Sequence, residues 1–287
     1  MTEYLRPASL DGALRARREH PDYVVLAGGT DLLVGATRRP EPPGIIDLFG
    51  LAPLVGIGED PDGSVWIGAA TTYAAILASE RVRRELPLLA AAAREVGALQ
   101  IQARGTLGGN IATSSPVGDT LPVLLALDAV LDLGSEATGT RSVPYESFLT
   151  GYRKTALSSD ELILRIRFPT RPAGARQYWR KMGTRRAQSI SKVMVAGCAA
   201  LEDGVIRHVR VGLGAVADRP IRARAAEAAL LGARPGPEAA ERVRAALAGE
   251  LRPIDDVRST AAYRLAAAQN AVGRFAEWLA APPDGPR

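Results

Sequence analysis

The sequence contains few of the residues that hold metals or form nucleophile–base pairs. Of its 287 residues, one is cysteine (Cys198) and two are histidine (His20 and His208). A lone thiolate cannot hold an iron–sulfur cluster, which needs several ligands, and two distant histidines do not predict a zinc site. Gly-x-Ser-x-Gly is absent, so a serine triad has no support. We therefore expect neither a metal site nor a catalytic side chain, and an organic cofactor for any redox chemistry.

Aromatic residues and long apolar runs are also scarce. Aromatics make up 5% of the chain, and the net charge of +5 is spread along it, which disfavours a nucleic-acid surface. Arg15, Arg17 and Arg18 are expected to form a solvated helix face. No apolar run has the length of a membrane span, and the first residues lack the order of a signal peptide. These features predict a cytoplasmic protein.

Glycine pairs with hydroxyl and amide neighbours occur in two segments, Leu26–Leu33 and Gly105–Pro116. Glycine lets the backbone turn with positive φ and approach a ligand closely, and successive N–H groups in such turns attract anions. Neither segment contains lysine. We therefore expect the main-chain amides of both segments to hold one diphosphate from two sides, as a flavin dinucleotide requires.

Two other nucleotide folds are disfavoured by the glycine spacing. Gly-x-Gly-x-x-Gly is absent from the first segment, which argues against a Rossmann fold. Gly-x-x-x-x-Gly-Lys-Ser/Thr is absent as well, which argues against a P-loop. The remaining alternative is that both glycine pairs are tight turns between strands.

Hydrophobic periodicity predicts a mixed chain of helices and strands. Helices are expected near 9–19, 73–79, 88–98, 122–126, 221–231, 237–248 and 260–280. Strands are expected near 23–27, 45–48, 65–69, 129–133, 142–144, 161–168, 177–182, 193–201 and 205–214, with a hairpin at Glu202–Gly204. The Pro/Gly-rich segment 169–174 predicts a boundary between a domain at 1–174 and a second at 175–287.

Several motifs, in this order, resemble the flavin-binding subunit of the molybdenum hydroxylases, the group of xanthine dehydrogenase and carbon monoxide dehydrogenase. The motifs are Ala27–Leu32, Thr106–Ala112 with Ser115–Pro122, Gly151–Leu157, Arg180–Val193, Arg219–Ala223 and Tyr263–Arg264. The resemblance implies an α+β fold: a two-subdomain FAD-binding domain of the PCMH type, then a domain with a small three-stranded antiparallel sheet and three helices. It also implies non-covalent FAD, with molybdopterin on a large partner subunit and two [2Fe–2S] clusters on a small one.

The resemblance also implies roles for individual residues. The first pyrophosphate loop would contain Ala27, Gly28, Gly29, Thr30, Asp31 and Leu32, and the second Thr106, Gly108, Gly109, Asn110 and Thr113. Asp119 would accept hydrogen bonds from ribose hydroxyls, Leu162 and Ile163 would contact the flavin ring, and Lys181 would lie near the isoalloxazine. Without a cofactor, Asp119 would be a helix N-terminal charge and Lys181 a solvated strand residue.

The implied function is electron transfer from the iron–sulfur clusters through FAD to NAD⁺ or another acceptor, as in a xanthine dehydrogenase. The chain departs from that pattern at Val96, where such relatives have an aromatic residue, and at Gln188 and Ser189 after the paired arginines. These departures leave the acceptor open. The alternatives are a self-contained FAD-dependent oxidoreductase and a flavin-free nucleotide-binding scaffold subunit.

Overall fold

The computed structural model describes residues 2–34, 40–185 and 188–282. Its strands are β1 (Glu3–Leu5), β2 (Val24–Leu26), β3 (Gly44–Asp47), β4 (Ile57–Glu59), β5 (Val65–Gly68), β6 (Val130–Ser135), β7 (Gly139–Pro144), β8 (Leu149–Gly151), β9 (Lys154–Thr155), β10 (Leu162–Phe168), β11 (Arg176–Met182), β12 (Val193–Glu202), β13 (Val205–Gly214) and β14 (Ile221–Arg222). Its α-helices are α1 (Leu10–Glu19), α2 (Tyr73–Ala78), α3 (Glu80–Glu85), α4 (Pro87–Arg94), α5 (Leu99–Arg104), α6 (Leu107–Thr113), α7 (Leu121–Ala126), α8 (Tyr145–Phe148), α9 (Arg224–Leu230), α10 (Pro237–Glu250) and α11 (Ala261–Trp278).

A small parallel sheet opens the chain, with β3 between β1 and β2. Helix α1 begins after Ser9, whose hydroxyl accepts a hydrogen bond from the Gly12 amide. Ala13 of this helix packs against Ile46 of β3 in a small core. Ligands of open sheets often bind beyond the carboxyl ends of parallel strands, and the first glycine segment follows that end of β2.

A five-stranded antiparallel sheet in the order β4–β5–β10–β6–β7 forms the second layer. Its apolar face shares a core with residues of α2, α4, α6 and α7. Two large aromatic side chains in that core, Tyr73 and Tyr145, are at most 2% exposed. Beyond β5 the chain passes through Ala69 and Thr71, which lie next to α6.

The third layer is an antiparallel sheet in the order β11–β12–β13–β14. Side chains of a strand alternate between its two faces. Accordingly, Val193 and Val195 of β12 pack into the core of α9–α11, whereas Ala196 and Cys198 join the core of the second layer. Helix α7 covers the second face so closely that a Cβ on Gly212 would lie 2.0 Å from the Pro122 carbonyl oxygen.

The predicted fold class is confirmed, with changes in individual elements. The hairpin forms where expected, because Asp203 (φ 52°) and Gly204 (φ 73°) both adopt the positive φ that a type I′ turn requires. The C-terminal sheet gains a fourth strand of two residues, β14, and α9 therefore starts at Arg224 instead of 221. The division of the chain at residue 174 stays a prediction. Within the described ranges, the helices are all too short or too polar to cross a bilayer.

Candidate functional site

A cavity of about 600 Å³ lies where the first and second layers meet. Its volume falls in the range of roughly 300–1,000 Å³ that is typical of ligand pockets. Fourteen of the fifteen candidate residues line it: Ala27, Gly28, Gly29, Thr30, Asp31, Leu32, Thr106, Gly108, Gly109, Asn110, Thr113, Asp119, Leu162 and Ile163. The fold therefore brings both glycine segments to one cavity. Lys181 alone lies outside the lining.

The first glycine segment presents a row of main-chain amides without acceptors. Gly29 has a φ of 75°, and hydrogen bonds from Leu33 N–H to Gly29 O and from Val34 N–H to Asp31 O close the turn. Among the described residues, none accepts a hydrogen bond from the five successive amides of 28–32. Clustered amides of this kind form an anion-binding concavity. This segment fits the expectation of a main-chain phosphate cradle.

The second glycine segment differs from that expectation, because it forms helix α6 and uses its amides internally. The Thr106 hydroxyl caps the helix by accepting from Gly109 N–H at 3.1 Å. The Leu107 amide donates to Thr71 O at 3.2 Å, and the Gly108 amide to Ala69 O at 2.9 Å. These bonds satisfy the amides that a helix start otherwise leaves open. The segment therefore offers the cavity its side chains, Asn110 and Thr113, instead of a second amide cradle.

Glycine at 28 and 108 is required by chain packing. A Cβ on Gly28 would lie 2.0 Å from the Arg104 carbonyl oxygen, so the first segment sits directly on the chain that leads into the second. A Cβ on Gly108 would lie 2.6 Å from the Ala69 carbonyl oxygen. We expected these glycines to admit a ligand. The observed neighbours include backbone: Gly28 lies against the chain that leads into the second segment, and Gly108 lies against Ala69 after β5.

Asp119 lies at the end of the cavity that borders the C-terminal sheet. Its Oδ2 accepts from Lys181 Nζ at 2.8 Å and its Oδ1 from Ser191 Oγ at 2.8 Å. Lys181 also donates to the Glu95 carbonyl oxygen at 3.1 Å, and its side chain is 4% exposed. Lys181 is therefore neither a solvated strand residue nor part of the lining, and its charge reaches the cavity through Asp119.

Burial governs the ionisation of this group. It raises the pKa of the Asp119 carboxyl, while the Lys181 ammonium and the Ser191 hydroxyl oppose that rise. Burial also raises the pKa of nearby Glu95, whose carboxylate accepts from the Trp179 ring nitrogen at 3.2 Å. Asp119 and Glu95 come from the first part of the chain and their partners from the second, so this cluster joins the two parts at the cavity wall.

Polar residues outside the predicted site also line the cavity, among them Arg17, Tyr73, Arg153, Glu161 and Arg258. Arg17 was expected on a solvated face, but it donates to the Tyr23 carbonyl oxygen at 2.9 Å, and burial lowers its pKa. The Gly151–Leu157 motif marked the neighbourhood of Arg153. Tyr73 could not be predicted as a lining residue, because an aromatic residue at an apolar helix position does not indicate that its hydroxyl has a hydrogen-bond partner.

The apolar part of the lining includes Leu162, Ile163, Val96 and Ile190. Leu162 and Ile163 are at most 7% exposed at the start of β10. A helix over 88–98 was predicted to include Val96, but α4 ends at Arg94 and Val96 lies beyond it. A lining that combines apolar side chains with clustered amides suits a ligand with a flat organic ring and a charged linker.

Other groups in the described ranges offer little chemistry of their own. No set of three or more His, Cys, Asp or Glu side chains in these ranges is placed to hold a metal ion. Cys198 is fully buried, and burial raises the pKa of its thiol to about 11. Such a thiol is a packing group and not a reactive one.

Comparison with protein families gives two matches that together span most of the chain. Residues 1–171 match the FAD binding domain in molybdopterin dehydrogenase. Residues 177–279 match the CO dehydrogenase flavoprotein C-terminal domain.

Similar proteins agree with both matches. A putative xanthine dehydrogenase FAD-binding subunit of Escherichia coli K12 is 32% identical over 91% of this chain and 90% of its own length. The nicotine 6-hydroxylase medium subunit of Paenarthrobacter nicotinovorans is 33% identical, with 94% of each chain covered. A solved carbon monoxide dehydrogenase chain of Hydrogenophaga pseudoflava superposes with a TM-score of 0.92 at 33% identity and 98% coverage of both chains. The chain therefore belongs to the FAD-binding subunits of the molybdenum hydroxylases.

Proposed function

We propose that this subunit transfers electrons within a larger complex, from [2Fe–2S] clusters on a small partner subunit to NAD⁺ or another acceptor. A large partner subunit would hold molybdopterin and the hydroxylated substrate. Bound FAD would supply the redox chemistry, taking up electrons singly and releasing them in pairs. The support is full-length similarity to a medium subunit of nicotine 6-hydroxylase and a FAD-binding subunit of xanthine dehydrogenase.

The observation that carries the proposal is the row of amides at 28–32 in the cavity wall. Gly28 is buried, the residues at 29, 30 and 32 are half-buried and Asp31 is exposed, so these donors are open to water or to a ligand with acceptor oxygens. These amides are unpaired within the described chain. We infer that they bind the diphosphate of FAD, with Asn110 and Thr113 donating from the second segment. The donor set fits the cofactor, because an anionic linker needs donors, and the described lining adds the guanidinium groups of Arg17, Arg153 and Arg258 to these amides.

The remaining candidates are assigned by their place in the lining. Leu162 and Ile163 would cover the flavin ring with apolar surface and exclude water from it. Asp119 would accept hydrogen bonds from hydroxyl groups of the cofactor, since each of its oxygens keeps a free lone pair. Lys181 would keep Asp119 ionised, because an opposite charge favours the charged form. Lys181 would thus act on the cofactor site through Asp119 and without direct contact.

The acceptor and the substrate rest on weaker observations. Val96 occupies the wall where xanthine dehydrogenase-type relatives are expected to carry an aromatic residue, so NAD⁺ and another acceptor both remain candidates. Similarity to a putative xanthine dehydrogenase FAD-binding subunit favours a xanthine dehydrogenase-like enzyme. The cytoplasmic location expected from the sequence stays a prediction.

The experiment is purification of the native protein under mild conditions, followed by flavin, iron and molybdenum analysis. We expect about one FAD per chain and iron and molybdenum in the same fraction. The reduced complex is then mixed anaerobically with NAD⁺ or with an artificial acceptor, and formation of NADH separates the two acceptor classes. A flavin-loaded chain that elutes alone and oxidises a substrate unaided would favour the self-contained oxidoreductase. A chain that takes up no flavin on reconstitution would favour the scaffold subunit.

A further inference from the structure

Asn110 lines the cavity, but only one end of its side-chain amide has a partner. Its Oδ1 accepts from Thr120 Oγ1 at 2.9 Å. Within the described chain no acceptor lies at hydrogen-bond distance from its Nδ2. A Cβ on Gly118, which also lines the cavity, would lie 3.3 Å from that nitrogen. Because Asn110 lines the cavity and its nitrogen has no partner within the described chain, its two N–H donors are available to a ligand there.

A buried chain of hydroxyl groups sets this orientation. Tyr73 Oη lies 3.1 Å from Thr120 Oγ1, and these two residues are 2% and 0% exposed. An amide oxygen cannot donate, so the single hydroxyl proton of Thr120 must point to Asn110 Oδ1. Tyr73 must then donate to Thr120. Burial raises the pKa of Tyr73 far above its usual value, so the phenol keeps its proton.

The opposite orientation of the amide is disfavoured by the same chain. If Nδ2 faced Thr120, the threonine oxygen would accept from the amide, and its second lone pair could still accept from Tyr73. One of the two buried hydroxyl protons, on Thr120 or on Tyr73, would then lack an acceptor among the described residues. Leaving a buried donor without a partner carries a substantial penalty. The Thr120 hydroxyl therefore holds the amide with Oδ1 turned toward it.

We propose that Thr120 is a positioning residue for FAD, which holds the Asn110 amide with both N–H donors turned toward the cofactor's acceptor oxygens. The inference rests on the proposed placement of FAD in this cavity. Without the hydrogen bond from Thr120, the Asn110 amide can rotate so that its oxygen faces water in the FAD-free chain. Binding must then return it to an orientation in which Oδ1 is buried without a donor, so affinity falls while the packing around the site is kept.

The test is titration of the FAD-free full chain with FAD, followed by flavin fluorescence. Thr120→Val removes the donor to Oδ1 and keeps the side-chain shape, so the Kd rises about tenfold. Thr120→Ser keeps the hydroxyl, and its Kd stays within about twofold of the wild-type value.

Tyr145→Phe is the matched control. Tyr145 is 1% exposed in the same core, and its hydroxyl has no hydrogen-bond partner among the described residues. Its removal takes away an equally buried hydroxyl and leaves the hydrogen bond between Thr120 and Asn110 in place, so FAD affinity is unchanged. A second readout is the NMR signal of the Asn110 side-chain NH₂ group, which shifts on FAD addition in the wild type and loses its fixed environment in Thr120→Val.

Each outcome decides the matter. A raised Kd for Thr120→Val, with Kd values near that of the wild type for Thr120→Ser and Tyr145→Phe, supports the positioning role of Thr120. A wild-type Kd for Thr120→Val, with a lowered melting temperature of the FAD-free chain, shows a purely structural role of Thr120 and overturns its positioning role alone. A wild-type chain that binds no FAD overturns the proposed function, and the positioning role with it.

Discussion

Gly28→Ala tests whether the two glycine segments must touch for the cofactor to bind. The added Cβ would lie 2.0 Å from the Arg104 carbonyl oxygen, whereas ordinary contact begins at 3.4 Å. The first segment must therefore move by about 1.4 Å, the difference between these two distances. The obstacle is backbone and cannot rotate away. Overpacking of this kind costs about 1–3 kcal/mol of stability.

The displacement also moves the amides at 28–32, which we propose bind the diphosphate. A hydrogen bond to a charged group contributes about 1.5–3 kcal/mol, so weakening two of them raises the Kd for FAD roughly 100-fold or more. The assays are FAD titration and thermal melting. Gly249→Ala is the control, because nothing lies within 4 Å of that Cβ in α10. It gains about 0.5–1 kcal/mol from helix propensity and leaves the Kd unchanged. Wild-type affinity and melting for Gly28→Ala would refute the close seating of the two segments.

Three further substitutions test other parts of the account. Lys181→Met leaves the Asp119 carboxylate, 12% exposed, without its cation and costs about 3 kcal/mol at neutral pH. Loss of the cation raises the Asp119 pKa further, so the loss of unfolding free energy shrinks as Asp119 is protonated in acid. The measurement is urea unfolding at several pH values, and a loss that stays constant with pH would contradict the pairing. In Glu161, hydrogen bonds from Arg141 lower the pKa from 4.5, so the ionised form stabilises the fold above that pH and the benefit fades as the pH falls. The arginine partner is half-exposed, so Glu161→Gln costs about 1 kcal/mol of stability near neutral pH and less in acid. A stability difference that does not change with pH in the same unfolding assay would count against the ion pair between Arg141 and Glu161. Gly197→Ala places a Cβ 2.8 Å from the Phe275 ring, so it lowers stability by about 1–3 kcal/mol, measured by thermal melting. Gly197 lies outside the cavity lining, so a loss of FAD affinity in this variant would contradict the location of the site.

Local rules predicted the elements whose signals lie within a few residues. The helix near 9–19 begins after Ser9, and the hairpin turns at Asp203–Gly204; each signal acts on its own neighbours, and both elements form where expected. Both glycine segments line one cavity, as their paired glycines with hydroxyl and amide neighbours predicted.

The rest depends on contacts between distant parts of the chain. The predicted helix at 88–98 ends at Arg94, and Gly97 takes a positive φ of 55° before α5 begins. Helix α6 was missed because a glycine pair disfavours a helix, and the carbonyls of Ala69 and Thr71 that stabilise its start lie far away in sequence. The burial of Lys181 against Asp119 joins residues 62 positions apart, and no local pattern reports such a pair.

The most direct test of the account is amide hydrogen exchange of the full chain with and without FAD, resolved by NMR. The amides at 28–32 have no acceptor within the described chain, whereas those of Leu107, Gly108 and Gly109 are already bonded. We predict that FAD slows exchange strongly at 28–32 and changes it little at 107–109. Unchanged exchange at 28–32 in the FAD-loaded chain would contradict the claim that these amides hold the diphosphate.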